Sequence, residues 1–229
     1  MVVFTVVALA GCDRQDTSRQ PATKQQAAPA EEGIIVAVGD SLTAGYGLDE
    51  ADAYPAQLER RLREAGHPWR VVNAGISGET SSGALSRMNW VLTLKPDIVI
   101  LVTGANDGLR GIDPKVTEKN LDEMVRILKE RNVTVVLGGM KMVTNLGRDY
   151  TGAFSAVYPA VARRHDLILV PFFLEGVAGR ANLNQDDGIH PTAEGYRIVV
   201  NTVFPFVVKA IGKRRKFSPS LDGRGLGGG

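Results

Sequence analysis

Short, wholly apolar runs alternate along this chain with longer stretches in which apolar residues recur at every third or fourth position. Ile34 to Val38 and Ile98 to Val102 are continuous apolar runs of five residues, Leu167 to Val170 is a run of four, and Val133 to Leu137 is broken only by Thr134. Runs this short without alternation predict strands buried on both faces. Val71 and Val72 predict one more, shorter strand. Between the runs, Tyr54 to Ala65 places Tyr54, Leu58, Leu62 and Ala65 at helical spacing and ends against Gly66, a helix-stop signal. Ser82 to Leu94 predicts a helix stopped before Pro96. Thr117 to Arg131 sets Leu121, Met124, Val125 and Leu128 on one face, and Thr151 to Arg164 turns Phe154, Val157, Tyr158 and Val161 inward. Thr192 to Ile211 predicts a closing helix interrupted at Pro205. Strand and helix in alternation specify an α/β domain, a parallel sheet with helices on both faces whose right-handed crossovers bring the strand ends to one edge.

Composition narrows the picture without changing it. With 229 residues, 44% hydrophobic and 23% charged, the chain suits one well-packed domain, placed at residues 33–211. No apolar run reaches the length of a membrane-spanning helix. The net charge of +2 hides an asymmetry, since residues 212–229 hold Lys213, Arg214, Arg215, Lys216 and Arg224 against Asp222. The remainder is net acidic, so the basic residues form a Gly-rich tail, expected to be disordered, and not the patch of a nucleic-acid binder. Residues 13–32, rich in Gln, Ala, Thr and Pro, read as a flexible tether.

The one cysteine, Cys12, can form no intramolecular disulfide and belongs to no Cys-rich metal site. Leu9-Ala-Gly-Cys12 follows the apolar segment Val2 to Ala10 and resembles a bacterial lipobox, although no Lys or Arg precedes it. The expectation is a leader-like segment at 1–12, lipidation and membrane anchoring at Cys12, and a periplasmic location. The bland reading is an apolar N-terminus with an incidental cysteine.

The chemistry-bearing residues fall in four blocks, each after a strand or in a loop. Ser41 follows the first strand in Gly39-Asp-Ser-Leu42, where a serine alone is more often a helix cap than a nucleophile. A serine nucleophile needs a base within hydrogen-bond reach and a third group that fixes the base's tautomer. Of the three histidines, His67 and His165 are expected to face solvent, whereas His190 lies three residues after Asp187 in a Gly-containing loop. Gly75 can offer an unobstructed backbone N–H and Asn106 an amide donor to a developing oxyanion, although both are common turn residues. Gly223-Arg-Gly-Leu-Gly-Gly228 matches a dinucleotide-binding pattern but has no strand before it. Thr43 breaks the G-x-S-x-G elbow, which argues against an ordinary α/β-hydrolase.

On these residues the chain resembles the GDSL or SGNH hydrolase family, with Ser41, Gly75, Asn106 and His190 in the four blocks over about residues 34–211. Asn73 to Thr80, Ala105 to Gly111 and Val170 to Gly176 are most similar to bacterial arylesterases related to a periplasmic multifunctional esterase with thioesterase and lysophospholipase activity. The resemblance implies a three-layer, flavodoxin-like fold, Ser41 as nucleophile, His190 as base and Asp187 as its orienter. It also implies an oxyanion hole built from the Ser41 and Gly75 amides and the Asn106 side chain. Where such arylesterases carry a Pro-containing stretch, this chain has Lys141 to Gly147, so the acyl-pocket wall is expected to differ. The expected protein is a serine esterase without metal or cofactor, acting on small aryl or short-to-medium acyl esters, with thioesters and lysophospholipids as further substrates. The alternatives are a carbohydrate O-acetylesterase or acyltransferase on the same fold, and a non-catalytic surface lipoprotein. Retention of Ser41 and His190 speaks against the last.

Overall fold

A computed structural model describes residues 31–142 and 146–217. Cys12, the leader-like segment, the tether up to residue 30 and the tail beyond residue 217 lie outside the described residues.

Five parallel strands, β1 (Gly33–Gly39), β2 (Trp69–Gly75), β3 (Ile98–Val102), β4 (Thr134–Gly138) and β5 (Ile168–Val170), form one sheet in the order β2-β1-β3-β4-β5. This is the flavodoxin-like order, which reverses direction between β1 and β3 and opens a crevice at the carboxyl ends of those strands. In register, Gly39 lies opposite both Gly75 and Val102, so the first three strands end level. Every residue of β3 is fully buried, as its unbroken apolar run requires.

The helices are α1 (Ser41–Ala44), α2 (Tyr54–Glu64), α3 (Ser81–Ser86), α4 (Met88–Thr93), α5 (Ala105–Leu109), α6 (Pro114–Glu130), α7 (Arg148–His165) and α8 (Ala193–Phe217). α2 and α8 pack together on one face of the sheet; α6 packs with α3, α4 and α7 on the other. The inward faces read from the sequence are buried in α6 and α7 without exception. Among the described residues no helix is long and apolar enough to cross a membrane.

Several expectations need correction. The helix expected over Ser82 to Leu94 is broken at Arg87 into α3 and α4. β2 has seven residues, not two, because an edge strand tolerates Arg70 and Asn73 within its length. Ala65 is exposed, since α2 ends one residue before it and only Tyr54, Leu58 and Leu62 of that set face inward. α8 runs through Pro205 and six residues past Ile211, to Phe217. Its last turn is tied down where a free tail was expected: Arg214 reaches Asp97 Oδ1 at 2.9 Å and the Asn132 carbonyl at 2.8 Å, and Arg215 pairs with Glu32. Glu32, read as tether, also accepts from Trp69 Nε1 at 3.1 Å and belongs to the folded body.

Candidate active site

β1 delivers Asp40 and Ser41 to the crevice. The Asp40 carboxylate caps α1 by accepting from Leu42 N–H at 3.0 Å, so the cap is Asp40 and the Ser41 hydroxyl is left for other partners. Asp40 is fully buried, and that burial pushes its carboxyl up to about 6. β3 delivers Asn106 through Gly104, whose φ of 102° opens α5 and which has no room for a side chain: a Cβ there would stand 2.5 Å from the Tyr158 hydroxyl.

The fourth block comes back across the sheet edge in a loop fastened at several points. Gln185 N–H donates to the His190 carbonyl at 2.7 Å, Asn184 bridges Pro191, and Gln185 Nε2 donates to the Tyr46 carbonyl at 2.8 Å. Within the loop Asp187 Oδ1 accepts from the N–H groups of Ile189 at 2.8 Å and His190 at 3.0 Å, and Oδ2 lies 2.6 Å from His190 Nδ1. The backbone and ring donors of His190, with the Ile189 amide, hold the Asp187 carboxyl down at about 2. An ionised carboxylate requires Nδ1 to carry the imidazole proton, which leaves Nε2 to accept. Nε2 lies 2.8 Å from Ser41 Oγ, so the serine hydroxyl donates to it. Three residues expected to act together from sequence therefore meet as a continuous Asp187–His190–Ser41 relay.

The oxyanion side departs in part from expectation. Asn106 Nδ2 sits at the crevice, donating to the Glu79 carbonyl at 3.1 Å and more loosely to Asp40 Oδ2 at 3.4 Å. Ser41 N–H has no partner among the described residues. Gly75 N–H, by contrast, donates to Asn73 Oδ1 at 3.0 Å, so it is engaged. Its glycine identity has a separate cause: a Cβ there would come within 2.2 Å of Ala44 N, so β2 could not approach α1. Three residues further on, Gly78 is exposed in the turn closed by Glu79 N–H on the Ile76 carbonyl at 3.1 Å, and its own N–H has no partner among the described residues.

Other residues of the site were not legible as such. The Tyr46 ring stands 4.7 Å from the His190 ring, and a Tyr in a turn gives no hint of that. Asp107 is buried beside Asn106 and accepts from Ser81 N–H at 2.7 Å, from the Ser81 hydroxyl at 2.5 Å and from Thr117 Oγ1 at 3.2 Å, locking α5 to α3 and α6. His165, expected to be solvated, is only 21% exposed and 2.9 Å from Asp122, because α6 and α7 bring the two together. His165 takes no part in the site.

An apolar cavity of about 190 Å³ opens beside Ser41 and His190, lined by Leu42, Leu109, Met140, Met142, Phe172 and Ile189, with Lys141 its one charged lining residue among the described residues. Larger hollows of about 620 and 530 Å³ lie along α6 and α2. Both lie away from Ser41, the first lined mainly by charged side chains and the second by a mixture of charged, polar and apolar ones, so size does not select the site.

A carboxylate–imidazole relay on a serine, an amide donor and an apolar cavity at the switch point of a flavodoxin-like sheet define a serine hydrolase outside the elbow-type α/β-hydrolases. Residues 37–198 match the model of the GDSL-like Lipase/Acylhydrolase family, and the chain belongs to that family. It is 42% identical to Esterase TesA of Pseudomonas aeruginosa over 75% of this chain and 86% of that one. It is 38% identical to Thioesterase 1/protease 1/lysophospholipase L1 of Escherichia coli K12, over 73% of this chain and 79% of that one. A crystal structure of TesA superposes with a TM-score of 0.75 at 41% identity, covering 77% of this chain and 99% of that one. The three-layer fold and the carboxylic-ester hydrolase class expected from sequence stand.

Proposed function

We propose that Ser41 attacks the carbonyl of small aryl and short-to-medium acyl esters and passes through an acyl-enzyme, with His190 as general base and Asp187 holding its tautomer. The observation that carries this reading is the unbroken relay of 2.6 Å and 2.8 Å from Asp187 through His190 to Ser41 Oγ. As Oγ forms its bond to the carbonyl carbon, its proton moves to Nε2, and the same proton is then available to the leaving alcohol. Water attacks the acyl-enzyme by the same route in reverse. The Ser41 amide and the Asn106 side chain meet the negative charge on the carbonyl oxygen. Gly78 N–H, in place of the engaged Gly75 N–H, completes that set.

The acyl group lies in the apolar cavity. A cavity of about 190 Å³ is small, which favours short-to-medium acyl chains over long ones. Thioesters fit the same chemistry, since a thiolate leaves more readily than an alkoxide, and the relative from Escherichia coli bears the name of a thioesterase and lysophospholipase. Export and lipidation at Cys12 would put the enzyme in the periplasm on a tether, and they rest on the Leu9 to Cys12 pattern.

The test is a series of p-nitrophenyl esters from two to sixteen carbons with wild type and Ser41→Ala, together with labelling by an alkyl phosphonate. Expected are a maximum at medium chain length, loss of turnover in Ser41→Ala and the phosphonate on Ser41. Label on another serine in active enzyme would overturn the assignment. Mass spectrometry of the product from its native host decides the fate of Cys12.

A further inference from the structure

We infer that Arg87 is a positioning residue for the oxyanion hole, acting through Glu79 on the Asn106 amide; this rests on the esterase reading above. Arg87 Nε and Nη2 donate to Glu79 Oε1 and Oε2, each at 2.7 Å, and the two side chains are only 12% and 8% exposed. Nη2 also lies 3.4 Å from the Gly39 carbonyl, two residues before Ser41. The Glu79 carbonyl in turn accepts from Asn106 Nδ2 at 3.1 Å. One guanidinium thus ties together the loops that follow β1 and β2 and, through the main chain of Glu79, the loop that follows β3.

The Asn106 amide shows what this secures. Its Nδ2 carries two N–H bonds, one committed to the Glu79 carbonyl. The other faces Asp40 Oδ2 at 3.4 Å, longer than an ordinary N–H···O bond, and is the one free to turn to an oxyanion. Fixing the Glu79 carbonyl therefore fixes the direction of the catalytic N–H. Without Arg87 the Glu79 carboxylate would be buried and unpaired, and its turn would shift to reach water.

Two features argue that the pair serves geometry more than stability. Arg87 Nη1 is buried with no hydrogen-bond partner among the described residues, and a buried ion pair with one nitrogen unmet is a weak stabiliser because desolvation offsets its attraction. The break between α3 and α4 also falls at this residue, with φ −107° and ψ 11°, in a run whose pattern predicts one helix. The Trp90 ring, 5.9 Å from the guanidinium, is at the outer limit of a cation–π contact and does not account for the burial.

The experiment is a kinetic cycle on the full chain with p-nitrophenyl butyrate. Arg87→Met should lower kcat about tenfold to a hundredfold, the range for slight misplacement of catalytic groups, and change KM less than about threefold. Arg87→Lys should not restore the rate, because an ammonium cannot span both carboxylate oxygens and the Gly39 carbonyl. Glu79→Met/Arg87→Met, which removes both charges, should melt close to wild type and keep the kcat loss, so that misfolding is separated from misplacement. In an Asn106→Ala background Arg87→Met should cost less than about twofold, because the group it positions is gone. An equal cost in both backgrounds, or wild-type kcat in the doubly neutral variant, would overturn the assignment. Absence of turnover in wild type would instead strike the esterase reading, and this inference with it.

Discussion

Asp187→Asn probes the relay most sharply, because the structure fixes what an amide must do in that place. Asp187 Oδ1 serves two backbone donors, Ile189 at 2.8 Å and His190 at 3.0 Å, while Oδ2 faces His190 Nδ1 at 2.6 Å. An amide has one acceptor oxygen, and keeping it on the two N–H groups turns its NH₂ toward Nδ1. The imidazole then has to accept at Nδ1 and carry its proton on Nε2, where it blocks the Ser41 proton. The opposite orientation restores the tautomer but gives up two backbone hydrogen bonds, about 2 kcal/mol net. It also lacks the carboxylate that stabilises the imidazolium, a charge-assisted bond of about 1.5–3 kcal/mol. Together these predict a fall in kcat of about a thousandfold to ten-thousandfold, in line with the same change in other serine triads. KM should hardly move, and melting should change by only a few degrees, since the Gln185 bonds to His190 and Tyr46 still hold the loop. Steady-state kinetics with p-nitrophenyl butyrate and a thermal melt on one preparation decide it. A folded variant within tenfold of wild type would refute the role given to Asp187.

Asn106→Ala should lower kcat about a hundredfold or more with KM nearly unchanged; a variant that melts early but turns over normally would make Asn106 part of the scaffold. Gly75→Ala should destabilise by about 1–3 kcal/mol, because its Cβ would meet Ala44 N at 2.2 Å, and it should slow turnover as α1 shifts; a denaturant midpoint equal to wild type would contradict the close approach. Asp40→Asn should stabilise the fold above pH 6. Burial raises the folded Asp40 carboxyl to about 6 from 3.8, so wild-type stability falls as pH rises through that window and the loss is complete above it. Removing the charge should recover on the order of 2–3 kcal/mol at pH 8 and nothing below pH 4, read as the melting difference between variant and wild type. A difference independent of pH would refute the burial argument.

What could be read from the sequence was whatever local periodicity or block spacing encodes. β1, β3, β4 and β5 announce themselves because they are mostly buried and their apolar runs are nearly continuous. β2 hides because an edge strand keeps Arg70 and Asn73, and the break at Arg87 hides because nothing in Ser82 to Leu94 disrupts helical spacing. The relay was legible because Asp187 and His190 are local to one loop and only Ser41 had to be supplied by the topology. The donors were less so. Whether a glycine amide is open or engaged depends on a neighbour such as Asn73, and the supports of Asn106 arrive from Glu79, Asp107 and Ser81 through tertiary contacts that leave no periodic trace.

Asp40 shows how the resting site limits its own catalytic gain. Its buried carboxylate caps α1 and receives the loosely held Asn106 N–H at 3.4 Å. Attraction to a charged His190 also acts on it. In the mechanism proposed above, transfer of the serine proton to the ring strengthens that attraction just as the oxyanion forms. The oxyanion in turn draws the Asn106 N–H away from Asp40. The worth of Asn106 to the transition state is therefore the difference between two charge-assisted bonds, one short to the oxyanion and one long to Asp40, and not the full strength of the first. That places Asn106→Ala nearer the hundredfold than the thousandfold end of its range. It also makes the two sites non-additive: in Asp40→Asn the resting competitor is a neutral amide oxygen at best, and Asn106→Ala should then cost more than it does beside the native carboxylate.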